Sequence, residues 1–332
     1  MAEALADARS LSPFLAGMIS YHMGWVDKDF LPVDPGTIDQ GKRIRPRLAT
    51  LACRAVSGND QRGWHLAAAI ELLHNFTLVH DDIQDQSVMR RHRETVWSIW
   101  GSAQAINIGD AIYAASRRIL LRMQSTGVSA DRILAIADQF DAAALEIVAG
   151  QVTDLEFEGG RAATVDDYLS MIGKKTAAIV RFAAWSGAYA GGAPDDLADA
   201  FGHFGEALGL GFQIRDDILG IWGAASDTGK PAADDLRRRK QSLPVIELRA
   251  IASDADRDRL GHIYGNPDVP DSSVQEVLHL LDKYAVRHVT EAKVHHFHDV
   301  ALATLEALAD SCDPRALDEL RSFVKALSFR TY

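Results

Sequence analysis

The chain is poor in cysteine and has no long uncharged apolar run. Cys53 and Cys312 are its only cysteines in 332 residues, and their spacing matches no metal-binding pattern. We therefore expect two buried thiols in a reducing cytoplasm. The most apolar stretch, residues 176–193, contains Arg181 and three glycines. A membrane span needs about 20 mainly apolar residues, so this stretch predicts a buried helix and no membrane span. The N-terminus lacks a basic region followed by an apolar core, so we expect no secretory signal and a cytoplasmic location.

Excess positive charge is also missing, since the formal net charge is −11. Nucleic-acid binders recruit Lys and Arg to phosphate backbones, so we expect no nucleic-acid partner. An acidic protein can still hold an anionic ligand if divalent cations lie between its carboxylates and the phosphates. Such a site must be visible locally in the sequence.

The period-two alternation of half-buried strands is absent as well, and helical periodicity dominates. Thr164 with Asp167, and Ser272 with Gln275, have the spacing of helix caps. The sequence therefore predicts one all-α domain over residues 1–332, with about ten or more helices and a central one buried on most sides. The helical segments that we predict are 65–79, 131–155, 164–189, 194–222, 272–309 and 314–327.

An acidic cluster, Asp81-Asp82-Ile83-Gln84-Asp85, directly follows an apolar helix. Asp81 and Asp85 lie one helical turn apart, where like charges destabilise a helix by a few tenths of a kcal/mol, about 0.2–0.5. A basic partner or Mg²⁺ would neutralise them, since Mg²⁺ characteristically uses one or two carboxylates plus substrate phosphates. A solvated acidic helix end is the alternative interpretation.

Basic residues flank this cluster on both sides. Arg90, Arg91 and Arg93 follow it, and arginine grips phosphate with two parallel hydrogen bonds. Gly41-Lys42-Arg43-Ile44-Arg45-Pro46 precedes it at a predicted helix start, a position that favours anions. Salt-bridged surface charge is the alternative for both segments.

A second paired carboxylate, Asp216-Asp217, comes late in another apolar helix. Basic residues follow it too, in Thr228-Gly229-Lys230-Pro231 and in the run from Arg237 to Lys240. If two acidic helix ends with basic loops faced each other, they could coordinate several Mg²⁺ ions around one diphosphate.

Taken in order, these motifs resemble the trans-isoprenyl diphosphate synthases, also called polyprenyl synthetases. The resemblance runs from about Gly41 to Pro244 and includes Lys175-Thr176 and Phe212-Gln213-x-x-Asp216-Asp217. It implies an all-α bundle around a deep central cavity, normally a homodimer. It also implies Mg²⁺-dependent condensation of isopentenyl diphosphate with an allylic diphosphate of C5, C10 or C15, with an expected three Mg²⁺ ions and Mn²⁺ able to replace them.

The resemblance also implies roles for individual residues. Lys42, Arg45, His74 and Arg91 resemble the isopentenyl diphosphate site. Asp81 and Asp85 are similar to the first magnesium ligands, and Asp216 to the ligand of the third ion. The remaining allylic-diphosphate contacts would be Arg90, Lys175, Thr176, Gln213, Lys230 and Lys240. Turnover is expected to depend most on Asp81, Asp85, Lys175 and Asp216.

The sequence departs from the family pattern at two places. Gly220 stands where many members have a third aspartate, and His92-Arg93-Glu94-Thr95 stands where Gly-x-Pro-Thr is commoner. We expect catalysis to survive the first departure, and we assign no function to the second.

Product length should follow from the residues that block the cavity. Phe76 lies five residues before Asp81, about 7.5 Å along the helix at 1.5 Å per residue. Thr77 is not bulky, and Leu73 lies a further turn away. One aromatic residue at this place resembles geranylgeranyl (C20) synthases, with farnesyl (C15) products next. The alternative is that Phe76 only packs in the core.

Three other functions have sequence features in their favour. A class I terpene cyclase also uses an Asp-rich helix, but its second metal motif is not found near Asp216. A di-iron carboxylate bundle uses Glu-x-x-His, which occurs at Glu71–His74 and Glu276–His279. A non-catalytic subunit that binds prenyl diphosphates would be consistent with the aspartate missing at Gly220.

Overall fold

The computed structural model describes residues 6–34, 43–223, 233–266 and 269–328, and these are almost wholly helical. They form two compact units. The first comprises the described parts of 1–141, 183–198 and 312–316, and the second those of 142–182, 199–311 and 317–332. The all-α class is thus confirmed, while the assignment of 1–332 to a single domain stays a prediction.

The N-terminal part of the chain is built on α3 and α4, which carry much of its buried apolar surface. Its helices are α1 (Ala6–Leu11), α2 (Pro13–His22), α3 (Ile44–Ser57), α4 (Trp64–Gln84), α5 (Val96–Trp100) and α6 (Ser102–Leu120), with 3₁₀ turns at Gln61–Gly63 and Leu121–Thr126. Two short antiparallel strands, β1 (Met89–Arg90) and β2 (Arg93–Glu94), form a hairpin between α4 and α5.

Longer helices follow. They are α7 (Ala130–Glu158), α8 (Val165–Ile172), α9 (Ala178–Gly191), α10 (Asp195–Trp222), α11 (Asp234–Arg237), α12 (Leu243–Ile251), α13 (Asp254–Gly265), α14 (Asp271–Lys283), α15 (Val286–Ala307) and α16 (Pro314–Ser328). A π-helical turn, Gly173–Ala177, joins α8 to α9, and Ala309–Ser311 is a 3₁₀ turn.

Most of the predicted helices are confirmed, including the capping box of Thr164 and Asp167 at the start of α8. The predicted helix over residues 272–309 is wrong, because it is divided into α14 and α15. Ala285 precedes α15 with a φ of 50°, a conformation that no continuous helix adopts. The predicted cap at Ser272 is also wrong, since Pro270 is the residue that caps α14.

Helix α4 packs closely along α6. A Cβ atom at Gly109 of α6 would lie 2.1 Å from Nε2 of His80. Only glycine therefore allows the His80 ring to lie where it does. This contact fixes the C-terminal half of α4, which carries the first acidic cluster.

In the second unit, an apolar cluster positions α10. Ile214 and Ile218 of α10 are buried together with Phe157 and Tyr168. The face of α10 that carries them is therefore turned into the core, and Asp217, between them in sequence, is fully buried.

Two expectations from composition can be compared with the structure. No helix in the described part of the chain is long and apolar enough to cross a membrane. Cys53 is buried as expected, whereas Cys312 is partly exposed, so the prediction of two buried thiols holds for Cys53 alone. The cytoplasmic location stays a prediction.

Candidate active site

The first acidic cluster occupies the C-terminal end of α4. Asp81 and Asp85 are both partly exposed, and the Asp85 N–H donates to the Asp81 carbonyl at 2.8 Å. Asp82 points inward and is only 3% exposed. A helix C-terminus carries a partial negative charge of about −0.5, so three carboxylates here raise the local negative potential further. This end of α4 therefore favours a bound cation.

Arg90 lies on the buried carboxylate of this cluster. Its Nε donates to Oδ1 of Asp82 at 2.8 Å. Burial raises the pKa of Asp82 to about 6, against the opposing effect of Arg90. Asp82 thus acts as the anchor of Arg90, which leaves Asp81 and Asp85 as the predicted metal ligands.

The short hairpin brings Arg91 to the same region. Its two turn residues, Arg91 and His92, have φ values of 49° and 61°. Left-handed backbone costs a non-glycine residue roughly 1–2 kcal/mol, and such strain tends to persist at functional sites. Glycine, which is commoner in the family at the position of His92, would adopt this backbone without the penalty. The second departure from the family pattern is therefore a locally strained turn.

Arg93 binds other parts of the protein, in contrast to the substrate-binding role predicted for Arg91. Its guanidinium donates to the carbonyls of Tyr21 at 3.0 Å and Val26 at 2.7 Å, and it lies 4.1 Å from the centre of the Tyr21 ring. It ties the hairpin to the last turn of α2 and to the segment that follows it. Arg93 lies two residues after Arg91, and the sequence gave no sign that Arg93 binds backbone carbonyls of the protein itself.

A histidine of α4 contacts the predicted isopentenyl diphosphate residue Arg45. Nη1 of Arg45 lies 3.2 Å from Nε2 of His74. Burial lowers the pKa of His74 well below its usual range, and Arg45 and Arg91 lower it further. His74 is therefore neutral and accepts from the guanidinium. Lys42, assigned to the same site, lies outside the described residues.

Sequence reasoning missed a neighbouring contact made by His22. Nε2 of His22 lies 3.1 Å from Oδ1 of Asn75, whose amide donates to the Glu71 carbonyl at 2.8 Å. Burial lowers the pKa of His22 to about 3, together with the charges of Arg90 and Arg91. A pocket lies beside these groups, and its wall includes Tyr21, His22, Leu78, Asp82, Arg90, Arg91, Arg93 and Thr95.

The predicted length-determining residue belongs to an aromatic cluster. The ring of Phe76 lies 4.8 Å from that of His80 and 5.2 Å from that of Tyr113 on α6, centre to centre. Thr77 donates to the His74 carbonyl at 2.8 Å, and Leu73 is fully buried. Tyr113 has no signal in the sequence, because only the packing of α4 on α6 brings it to Phe76.

The second acidic cluster is built around Asp217, which gathers two predicted substrate contacts. One carboxylate oxygen accepts from Gln213 at 3.2 Å and from Lys240 at 3.4 Å. The other accepts from the Tyr168 hydroxyl and from the Leu243 N–H, the latter at 3.1 Å. Burial raises the pKa of Asp217, and Lys240 opposes this. Asp216, the predicted ligand, is partly exposed on α10.

The π-helical turn carries Lys175 and Thr176. Nζ of Lys175 pairs with Asp154 of α7, and the Thr176 hydroxyl donates to the amide oxygen of Gln213 at 2.9 Å. A Cβ atom at Gly150 would lie 2.3 Å from the Lys175 nitrogen, so glycine allows α7 to approach. The structure thus brings Thr176, Gln213 and Lys240 into one hydrogen-bonded group around Asp217, and it pairs Lys175 separately with Asp154. Lys230 lies outside the described residues.

The donor chemistry fits magnesium. Asp81 and Asp85 offer carboxylate oxygens, and the described residues contain no group of three or more His, Cys, Asp or Glu side chains suited to a metal. Mg²⁺ is usually bound through one or two carboxylates, water and substrate phosphates rather than in an all-protein cage. A di-iron site needs four glutamates with two histidines. Glu276, proposed for it, instead pairs with Arg259.

Comparison with known proteins gives a consistent result. The polyprenyl synthetase family model matches residues 33–281. A (2E,6E)-farnesyl diphosphate synthase of Mycobacterium bovis is 40% identical over 75% of this chain and 67% of its own length. A geranylgeranyl diphosphate synthase of Mycobacterium tuberculosis is 37% identical over 92% of this chain and 85% of its own. The crystal structure of a polyprenyl synthetase from Streptomyces coelicolor A3(2) superposes with a TM-score of 0.88 at 33% identity, covering 98% of this chain and 95% of that one.

Proposed function

Because the chain belongs to the polyprenyl synthetase family, we propose that it is a prenyl transferase that condenses isopentenyl diphosphate with an allylic diphosphate, head to tail, in the presence of Mg²⁺. The main support from the structure is the end of α4. Two partly exposed carboxylates stand there at the negative end of a helix, and Arg90 and Arg91 lie close by in sequence on the hairpin. A diphosphate bridged by cations satisfies both the acidic and the basic groups.

The reaction needs no nucleophilic side chain. The bond between the allylic carbon and the diphosphate oxygen breaks, and the double bond of isopentenyl diphosphate forms a bond to that carbon. The released diphosphate then takes a proton from the adduct, which restores a double bond. Bound Mg²⁺ would supply positive charge to the departing diphosphate. An apolar surrounding protects the allylic cation from water.

The residues of the chain bind and orient the two substrates. Arg45 and Arg91 would hold the diphosphate of isopentenyl diphosphate, with neutral His74 fixing the direction of the Arg45 fork. Lys175, Lys240 and Arg90 would bind the allylic diphosphate, because arginine and lysine are the usual protein partners of phosphate. Gln213 is held between Thr176 and Asp217, so its amide has one orientation.

We propose geranylgeranyl diphosphate (C20) as the main product, with farnesyl diphosphate (C15) next. The relatives named above include synthases of both kinds. Phe76 is a single large side chain on α4 that would limit the growing prenyl chain, and the smaller Thr77 follows it. The accepted starter (C5, C10 or C15), three Mg²⁺ ions per site, replacement by Mn²⁺ and a homodimeric state belong to the same proposal.

A product assay tests the function. The purified chain is incubated with labelled isopentenyl diphosphate, each allylic starter and Mg²⁺, and the products are identified. We expect C20 and C15 diphosphates, a loss of activity on chelation of the metal, and recovery with Mg²⁺. A cyclic hydrocarbon formed from the allylic substrate alone would identify a cyclase, and binding without turnover would identify a non-catalytic subunit.

Asp81→Ala should abolish turnover and leave the far-ultraviolet circular dichroism unchanged. The matched control is Asp258→Ala on α13, an exposed aspartate whose loss should leave turnover as in the wild type. Near-normal activity of Asp81→Ala would contradict the assignment of the metal ligand.

A further inference from the structure

The C-terminal end of α2 contributes a histidine to the pocket beside the hairpin. His22 is the last residue of α2, and its side chain lines this pocket together with the three arginines of the hairpin. The same wall contains two carboxylates, one of which, that of Asp82, is already bound to Arg90. In a chain with a net charge of −11, a wall with an excess of positive charge is a local feature that favours a bound anion.

The hydrogen bond of His22 fixes which ring nitrogen carries the proton. Nδ2 of Asn75 donates to the carbonyl of Glu71 at 2.8 Å and to its carboxylate at 3.3 Å. The amide therefore turns its oxygen toward His22, and Nε2 of His22 donates to that oxygen at 3.1 Å. In the neutral ring Nδ1 then carries no proton. Within the described residues this is the one hydrogen bond of the ring, so Nδ1 remains for a ligand.

His22 lies close to the residues predicted to hold isopentenyl diphosphate. The charge of Arg91 lowers the pKa of both His22 and His74, so both rings lie within the field of its guanidinium. Nη1 of Arg45 lies 3.2 Å from Nε2 of His74. A diphosphate held by Arg45 and Arg91 would therefore bring its negative charge close to His22.

Titratable and charged groups face His22 from each element that packs against it. They are Arg90, Arg91, Arg93 and Glu94 of the hairpin, Glu71, His74 and Asp82 of α4, and Tyr21 of its own helix. In the protein alone, burial and the neighbouring guanidiniums lower the pKa of His22 to about 3, so the ring is neutral. A bound diphosphate reverses this balance, because an opposite charge within about 4–6 Å raises the pKa of a histidine by about 1–3.

We propose that His22 is a further residue of the isopentenyl diphosphate site, and that it takes up a proton from solvent when the diphosphate binds. The protonated ring keeps the bond from Nε2 to Asn75 and donates from Nδ1 to a phosphate oxygen. The C-terminus of α2, with a partial charge of about −0.5, also favours a cation at this position. This inference rests on the proposed function, because it takes the substrate diphosphate as the ligand.

His22→Gln tests the proposal, because glutamine keeps an N–H donor for Asn75 and cannot take up the proton. KM for isopentenyl diphosphate is measured for both proteins at pH 5.5 and 8.0. The KM of the variant should exceed that of the wild type about fourfold at pH 5.5 and match it within about twofold at pH 8.0. The difference disappears at high pH because His22 loses its proton as the pH rises through the pKa that it has in the complex. The substrate and all other titratable groups are the same in both proteins.

Titration calorimetry counts the protons directly. Isopentenyl diphosphate is titrated with Mg²⁺ present at pH 5.5, in two buffers that differ in ionisation enthalpy. The wild type should take up at least about half a proton more than His22→Gln. His279→Gln, at an exposed histidine of α14, is the matched control and should behave as the wild type in both measurements. Circular dichroism establishes that each variant is folded, and His22→Asn, which also does not titrate, replaces His22→Gln if that variant does not fold.

The outcomes separate this inference from the proposed function. A KM ratio that is the same at the two pH values would overturn the inference, since a merely structural role of His22 would weaken binding equally at both. Equal proton uptake by the wild type and His22→Gln would overturn it as well. If the wild type binds isopentenyl diphosphate but makes no prenyl product, the proposed function fails, and the proton count still decides the role of His22. A wild type that does not bind this substrate would contradict both.

Discussion

The turn between β1 and β2 holds two residues in left-handed backbone, and only Arg91 has a proposed role in substrate binding. His92 is exposed and carries the larger φ. His92→Gly should therefore stabilise the protein by about 1 kcal/mol, because glycine adopts this φ without steric cost. Urea unfolding measures the change, and activity should be unaffected.

Arg91→Gly provides the comparison at the adjacent position. It relieves a similar strain but removes the guanidinium, so KM for isopentenyl diphosphate should rise at least tenfold without a loss of stability. An unchanged KM would show that Arg91 does not bind this substrate. Reduced stability of His92→Gly would show that the turn is not strained.

His22 should make stability depend on pH. Its pKa is lowered from 6.5 to about 3 in the folded state, so between these values the unfolded chain binds the extra proton. The contribution of neutral His22 is complete above about pH 6.5 and is lost as the pH falls toward 3. His22→Gln keeps an N–H donor for Asn75 and does not titrate. We expect the stability of the wild type relative to this variant to fall by about 1.4 kcal/mol between pH 7.5 and 5.5.

The measurement is urea unfolding of both proteins at the two pH values. Asp82, whose raised pKa of about 6 has the opposite effect on stability, is present in both and cancels in the difference. A difference that is independent of pH would mean that folding does not lower the pKa of His22.

At the level of single residues, the sequence predicted which charged residues would belong to the site, but not which side chains they contact. Helical spacing predicted that Asp81 and Asp85 lie on one face at the end of α4. It also predicted that their like charges require a cation. Asp82 and Asp217 look identical to their neighbours in sequence, and only burial shows that they anchor Arg90, Gln213 and Lys240. Such anchoring depends on helices that are distant in sequence and cannot be read from local periodicity.

Helices α4 and α6 together form the surroundings of Phe76, which lies more than one turn before Asp81 on α4. The Phe76 ring is held between His80 and Tyr113. Phe76→Ala should lengthen the main product by at least one C5 unit, because it removes the aromatic ring that we propose as the limit to chain growth. Chromatography of the dephosphorylated products measures their chain length.

Leu73→Ala is the matched control on the same helix. Leu73 lies a further turn away and is fully buried, so its truncation alone should leave the product length unchanged while Phe76 is present. In the Phe76→Ala background it should add further length. An unchanged product from Phe76→Ala would mean that the ring only packs in the core.

The elements themselves were predictable where one face is strongly apolar. Helices α7, α10 and α16 begin and end close to the residues that periodicity indicates, and α4 begins there but continues to Gln84, beyond the predicted end at residue 79. The hairpin at Met89–Glu94 was missed because its strands have two residues each and its turn lacks glycine. The break at Ala285 was missed because alanine favours helix, and the local sequence gives no sign of a positive φ.

On the scale of the whole molecule, α7 leaves an apolar stripe exposed. Leu145, Val148 and Val152 are 72%, 49% and 54% exposed at helical spacing. Contiguous exposed apolar surface commonly marks a protein interface. We expect a homodimer that buries this stripe, so Leu145→Glu should convert it to a monomer at micromolar concentration.

Size-exclusion chromatography with light scattering measures the masses. Ile251→Glu is the control, because Ile251 is also exposed and apolar but lies at the end of α12. A monomeric wild type, or a Leu145→Glu variant that stays dimeric, would contradict the assignment of this surface.

The π-helical turn at Gly173–Ala177 has a consequence for how the chain can change over evolution. Such a turn contains one residue more than an α-helix of the same course. Deleting one residue before Lys175, such as Gly173, would remove no functional side chain, yet it would rotate Lys175 by about 100° about the helix axis and away from Asp154. This stretch should therefore tolerate substitutions more readily than insertions or deletions. Relatives should preserve its length even where they do not preserve its residues.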